Sequence, residues 1–315
     1  MLAWRGVKTE VSAGFGLMRI QMLARGVEVL APAKINLFLE VLGRRSDGYH
    51  EIETLMVAVD LHDRLTFEND PSGAIALGCD DPTLPVDDQN LVVRAAKRLK
   101  AEAGGLHGAR IVLEKRIPTE AGLGGGSSDA AATLVALDRL WNLGLPSGRL
   151  DELAGEIGGD VAFFRHTPAA VCRGRGEAVE PVSMSNPVHF VLVRPPFGMS
   201  TALVYRQVAV PTRPRPLDAT LRALEAGDPV ELGSCLFNRL QAPAESLRPE
   251  LVRVKSALAE LSPPLCGSLM SGSGSTYFGV GRDLEAARHA ASILESLGLG
   301  WVRVVTSCSQ AENAS

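Results

Sequence analysis

Apolar and polar positions alternate from Glu28 to Gly43, with Ile35, Leu37, Leu39 and Val41 on one side and Asn36, Phe38, Glu40 and Leu42 on the other. A period of two predicts a strand, and the mixed second side predicts partial burial of both faces. Arg44 to Gly48 reads as a turn, because Asp47-Gly48 favours one. Tyr49 to Asp60 and Asp63 to Glu68 are predicted as a second and a third strand, and the Pro/Asp-rich stretch Asp80 to Gln89 as a loop. The period then changes: Leu91, Val92, Ala95, Ala96 and Leu99 predict an amphipathic helix from Asn90 to Ala103, closed by Gly104-Gly105. Ala109 to Lys115 is a strand, and Asp129 to Leu143 a helix with Leu134, Leu137 and Trp141 at helical spacing, ended by Gly144 and Pro146. Ser147 to Ile157 is a short helix with Ser147 as its N-cap.

Beyond it, residues 170–179 contain Arg173-Gly174-Arg175-Gly176, read as a flexible basic loop. Pro181 to Pro187 is the expected domain junction. Val188 to Val193 is a buried strand, Leu217 to Ala226 and Leu251 to Leu261 are helices, and Cys266 to Val280 holds a second Gly/Ser-rich turn, Ser271 to Ser275. Leu284 to Leu297 (helix) and Trp301 to Thr306 (strand) complete an α+β half. A chain of 315 residues suits two domains. The expected division is an extension over 1–26, one domain over 27–183 and another over 184–315.

Composition narrows the class. With 46% hydrophobic and 22% charged residues the chain can bury a core, and a net charge of −4 argues against a general nucleic-acid surface. Five scattered cysteines with no CxxC or Cys/His spacing predict neither a disulfide framework nor zinc, so a reduced, cytoplasmic setting is expected. No apolar run approaches the roughly 18 residues of a membrane span. The basic start (Arg5, Lys8, Arg19, Arg25) lacks an unbroken apolar stretch, which argues against a signal peptide and predicts a disordered extension.

Candidate chemistry centres on Pro118 to Ala132, PTEAGLGGGSSDAAA. Glycines at 122, 124, 125 and 126 enter a helix through Ser127 and Ser128, and the free amides and positive dipole end of such a start suit a phosphate. No lysine follows Gly126, as a Walker loop requires, and Ser127 stands where a dinucleotide fingerprint needs glycine. The bland alternative is a glycine turn that only lets a helix pack closely on a sheet. Asp160, between Gly158-Gly159 and Val161 to Phe164, would be partly desolvated, hence costly unless paired or functional, or else exposed on a turn. Lys34 is either a strand-edge lysine with a solvated head or a cation that holds a carboxylate ionised.

Pro118 to Ala132 resembles the second signature of the GHMP kinases, the superfamily of galactokinase, homoserine kinase and mevalonate kinase. Ala31 to Leu55, APAKINLFLEVLGRRSDGYHEIETL, is similar to the branch that acts on a cytidine-diphosphate-linked methylerythritol. The resemblance spans about Ala31 to Val305. It implies an α+β fold with a ribosomal-protein-S5-like N-terminal domain, a ferredoxin-like C-terminal domain and the site between them. It also implies ATP-dependent phosphorylation of the substrate's 2-hydroxyl, ATP and Mg²⁺ as cofactors with no protein ligand for the metal assigned, a small-molecule substrate with neither nucleic acid nor membrane as partner, and a monomer or homodimer. Lys34 and Asp160 match the family's catalytic pair, although Gly159 and Ala162 depart slightly from its Gly-Ala-Asp-Val-Pro pattern. Pro118, Thr119, Glu120, Ala121, Gly122, Leu123, Gly124, Gly125, Gly126, Ser127 and Ser128 fall on the nucleotide loop, with Asn90 and Leu91 at the adenine. Tyr49 and His50 correspond to the cytosine reader, Thr201 and Tyr205 to the other half of that site, and Asn36 to the methylerythritol end. Ser271 to Thr276 resembles the third motif, which braces the loop. A mevalonate or homoserine kinase is the nearest alternative, and a nucleotide-binding sensor without turnover the alternative of another class.

Overall fold

The computed structural model describes residues 18–166 and 168–308. In chain order the first half runs β1 (Arg19–Leu23), β2 (Gly26–Arg44), β3 (His50–Asn69), β4 (Ile75–Cys79), α1 (Leu91–Glu102), β5 (Ala109–Glu114), α2 (Gly125–Leu140), α3 (Ser147–Ile157), β6 (Ala169–Gly174) and β7 (Ala178–Pro181). The second half runs β8 (His189–Arg194), α4 (Thr201–Arg206), α5 (Asp218–Ala226), α6 (Pro229–Cys235), β9 (Phe237–Asn238), α7 (Gln241–Leu247), α8 (Leu251–Glu260), β10 (Leu265–Met270), β11 (Tyr277–Gly281), α9 (Leu284–Ser296) and β12 (Trp301–Thr306). The mixed α+β class implied by the resemblance is what the chain adopts.

Two long antiparallel strands, β2 and β3, carry the first sheet, ordered β1-β2-β3-β5-β4. The far half of β3 pairs with β5 and its near half with β6, so one strand serves two neighbours at different heights. The two separate strands expected over 49–68 are therefore one. The ladder slips at Pro32/Ala33, opposite His62 and Val59, and this bulge lets the backbone run on. Arg19–Leu23 also departs from expectation: it is a hairpin strand on β2, while the rest of the expected extension, 1–17, lies outside the described residues. The expected basic loop at 173–176 is the end of β6 and a tight turn into β7.

The second sheet is antiparallel, β10-β11-β8-β12, with α8 and α9 packed on it. The chain leaves the first sheet between Pro181 and His189, and the short β9 returns to pair in parallel with β2. Ile35 and Leu37 of β2 share a buried core with Phe190, Leu192, Phe278 and Val280, which locks the two sheets together. Glu40, fully buried, adds a polar tie: Arg239 donates to both its oxygens at 2.7 Å, and the amides of Val41 and Arg215 donate at 2.8 Å. Burial alone would raise this carboxyl, but the Arg239 guanidinium and the two amides outweigh it and hold it below its ordinary value.

Candidate active site

The expected glycine loop is present and leads into α2. Gly124, at φ +71°, occupies the N-cap position and offers no side chain, so the first amides of α2 lack a side-chain cap. A Cβ on Gly122 would collide with the carbonyl oxygen of Ser271, and one on Gly124 would come within 2.9 Å of Lys34 Cγ and Phe164 Cζ. The loop is thus pressed against β2 on one side and the 271–276 turn on the other. Gly124→Ala is expected to cost about 1–2 kcal/mol from backbone handedness alone, and to push Lys34 aside. Thermal unfolding together with kcat checks both effects, since strain without Lys34 displacement would leave kcat unchanged.

Lys34 and Asn36 come from one face of β2. The Lys34 amide donates to Leu123 O at 2.9 Å, so the strand is stitched to the loop. Lys34 Nζ donates to Asn36 Oδ1 at 2.5 Å and lies 3.5 Å from Asp160 Oδ2. Asn36 Nδ2 donates to Thr54 Oγ1 at 2.8 Å, and that hydroxyl donates to Phe38 O at 2.6 Å, which fixes the amide's orientation. The Ser271 hydroxyl donates to Gly122 O at 2.9 Å and accepts from the Asn36 amide at 3.3 Å; the Thr276 amide donates to Ala121 O at 3.2 Å. The second Gly/Ser turn therefore braces the first. Asp160 stands at the end of the Gly158-Gly159 break after α3, held by the buried run Val161 to Phe164. Lys34 is nearly buried (4% side-chain exposure) while Asp160 keeps 32% and faces the cleft.

These groups face a cleft of about 850 Å³, near the top of the range for small-molecule sites. Lys34, Asn36, Tyr49, His50, Asn90, Leu91, Asp160, Thr201, Tyr205 and every residue from Pro118 to Ser127 line it. At one end Asn90 caps α1, accepting from the Val92 amide at 2.9 Å, beside Leu91 and the start of α2. At the other, His50 lies against Tyr205 with ring centroids 5.2 Å apart, and Thr201 shares a hydrogen bond with Ser273 at 2.9 Å. Burial and the charge of Arg44 lower the His50 pKa. Ser128 departs from expectation: it is fully buried behind the cleft wall, and its hydroxyl has no partner among the described residues.

A buried charge cluster went unread in the sequence. Lys115 Nζ bonds Asp63 Oδ2 and, at 2.9 Å, Asp129 Oδ2, while Asp63 Oδ1 accepts the amides of Arg116 at 2.6 Å and Ile117 at 2.9 Å. It clamps the exit of β5 to the first turn of α2. Burial raises Asp129 against the pull of Lys115; it would lower Lys115, but the two carboxylates outweigh it and raise that ammonium. The usable signal was strand pairing: in the β3–β5 register Arg64 faces Glu114, which sets Asp63 beside Lys115.

Fold and cleft together define a GHMP-type small-molecule kinase. The GHMP kinases N terminal domain matches residues 90–167 and the GHMP kinases C terminal domain residues 220–298. A 4-diphosphocytidyl-2-C-methyl-D-erythritol kinase of Pelotomaculum thermopropionicum is 46% identical over 268 residues, covering 84% of this chain and 93% of that one. The enzyme of the same name from Shouchella clausii is 40% identical over 253 residues, 80% of this chain and 84% of that one. A crystal structure of 4-(cytidine 5'-diphospho)-2C-methyl-D-erythritol kinase superposes with a TM-score of 0.73 at 40% identity, covering 90% and 99% of the two chains. Homoserine kinase from Cytophaga hutchinsonii shares the fold alone, at 20% identity and a TM-score of 0.67 over 91% of this chain and 96% of that one. The chain belongs to the 4-diphosphocytidyl-2-C-methyl-D-erythritol kinase family.

Among the described residues no helix is long and apolar enough to cross a membrane, and no group of three or more His, Cys, Asp or Glu could hold a metal by itself.

Proposed function

We propose that the protein transfers the γ-phosphate of ATP to the 2-hydroxyl of 4-diphosphocytidyl-2-C-methyl-D-erythritol, in the non-mevalonate route to isoprenoid precursors. The observation that carries this reading is the Lys34–Asp160 pair, 3.5 Å apart, between a glycine-loop end and an aromatic end of one cleft. Asp160 accepts the hydroxyl proton as the oxygen attacks, and Lys34, oriented by Asn36, neutralises charge on the moving group. Phosphoryl transfer asks mainly for alignment and charge stabilisation, which such a pair supplies.

The nucleotide's phosphates fit the start of α2, where Gly124 at the N-cap leaves the first amides without a side-chain cap. Mg²⁺ is expected to be held chiefly through those phosphates; Ser127 lines the cleft and would offer it a hydroxyl oxygen, whereas Ser128 lies behind the wall and Asp129 is tied to Lys115. When bound, the ion offsets charge on the phosphate oxygens. Asn90 and Leu91 border the adenine.

At the opposite end Tyr49 and Tyr205 offer ring faces to a base, and His50 offers its edge. With its pKa lowered, His50 favours the neutral form and can turn one ring nitrogen, as donor or acceptor, to a cytosine edge. Mevalonate and homoserine have no base to fill this end. His50→Phe is expected to raise KM for the cytidylyl substrate about tenfold while KM for ATP stays unchanged; equal shifts in both would contradict the assignment. The function itself is tested by ATP consumption with the cytidylyl alcohol, mevalonate or homoserine as acceptor. Turnover confined to the first supports the reading, and preference for either other acceptor refutes it.

A further inference from the structure

The turn from β6 to β7 carries two arginines, and their surroundings differ. Arg173 is occupied elsewhere, with Nε 2.9 Å from Glu53 and Nη1 2.6 Å from Glu180. Arg175 lines the cleft, its guanidinium carbon 5.2 Å from the centroid of the Tyr49 ring. Nη2 donates to Gly155 O at 3.2 Å and Nε lies 3.6 Å from Glu177 Oε1, while Nη1 has no hydrogen-bond partner among the described residues.

Backbone packing sets this placement. A Cβ on Gly159 would collide with the carbonyl oxygen of Arg175, and one on Gly176 would come within 3.1 Å of Asp160 Oδ1. Glu177 Oε2 accepts the Arg175 amide at 2.6 Å and closes the turn. Arg175 is thereby held against Tyr49 on one side, with its turn seated on Asp160 on the other. A molecule that stacks a base at Tyr49 and brings a hydroxyl to Asp160 passes this guanidinium. In the cytidylyl substrate the diphosphate lies between those two ends.

We propose that Arg175 binds the substrate's diphosphate through its outward edge, while its stack on Tyr49 fixes the ring that receives the base. The inference rests on the function proposed above. A guanidinium suits the task because its planar donors match phosphate oxygens and its face is attracted to an aromatic ring. Arg44 and Arg206 line the same end and add positive charge without a stack.

The test compares binding of CDP and of cytidine by calorimetry, with the nucleotide end filled by saturating ADP, alongside steady-state kinetics. The wild-type protein is expected to prefer CDP by about tenfold, the scale of one charge-assisted contact. Arg175→Ala should abolish most of that preference and raise KM for the cytidylyl substrate by a similar factor, leaving KM for ATP unchanged and kcat within about threefold. Arg175→Lys should recover part of the CDP preference, and Arg173→Ala should change neither quantity. If Arg175→Ala keeps both the CDP preference and the KM, the inference is overturned while the function stands. If the wild-type protein binds neither CDP nor cytidine, the functional reading falls and takes this inference with it.

Discussion

Replacing Asp160 with asparagine is expected to lower kcat about a thousandfold, the middle of the range for losing a positioned general base, with KM for both substrates nearly unchanged. The substitution keeps shape and removes only the basic oxygen. Asp160 is held by the Gly158-Gly159 break and the buried residues that follow, so its amide replacement should occupy the same place. Lys34 would then lose its anionic neighbour but keep Asn36, which preserves the local geometry. A thousandfold corresponds to about 4 kcal/mol of transition-state stabilisation. Single-turnover measurement separates the chemical step from product release. A variant with near-normal turnover would remove Asp160 from the role of base.

The second large effect is on stability. Lys115→Met should lower the unfolding free energy by about 3–5 kcal/mol, because removing one partner strands buried charge. Asp63 is fully buried and Asp129 is 3% exposed, and after the substitution neither would face a cation. The clamp between β5 and α2 would open where the glycine loop begins, so nucleotide affinity should fall with stability. Urea denaturation checks the first part and ATP-analogue binding the second. A loss below about 1 kcal/mol, the scale of an exposed pair, would show that water reaches the cluster and screens it.

What the sequence disclosed divides along physical lines. The helices α1 and α9 were legible because burial of one face repeats over several turns, while β2 and α2, buried nearly all round, were legible from their long apolar runs and flanking turn residues. The short helices α4, α6 and α7, six or seven residues each, were not, since one or two turns leave too few positions to define a period. β6 reads as a loop in the sequence because its Arg-Gly end outweighs the apolar Ala169 to Cys172, which pairing with β3 buries. In the site, the glycine loop and the lysine–aspartate pair were readable through motif and resemblance. The Asp63–Lys115–Asp129 cluster was not, because its members are 52 and 14 residues apart and meet only when β3 and β5 pair. Ser128 shows the remaining gap: a motif places a residue in a loop but does not say which side of the wall its hydroxyl faces.

The account's central claim is that one cleft holds a nucleotide at the start of α2 and a cytidylyl alcohol at Tyr49 and His50, with the reacting hydroxyl at Asp160. A ternary complex with a non-hydrolysable ATP analogue and the cytidylyl alcohol tests it most directly. The expected electron density places the 2-hydroxyl within about 3 Å of the Asp160 carboxylate, in line with the γ-phosphorus. Density that seats the base away from Tyr49 and His50, or the triphosphate away from the glycine loop, would contradict it.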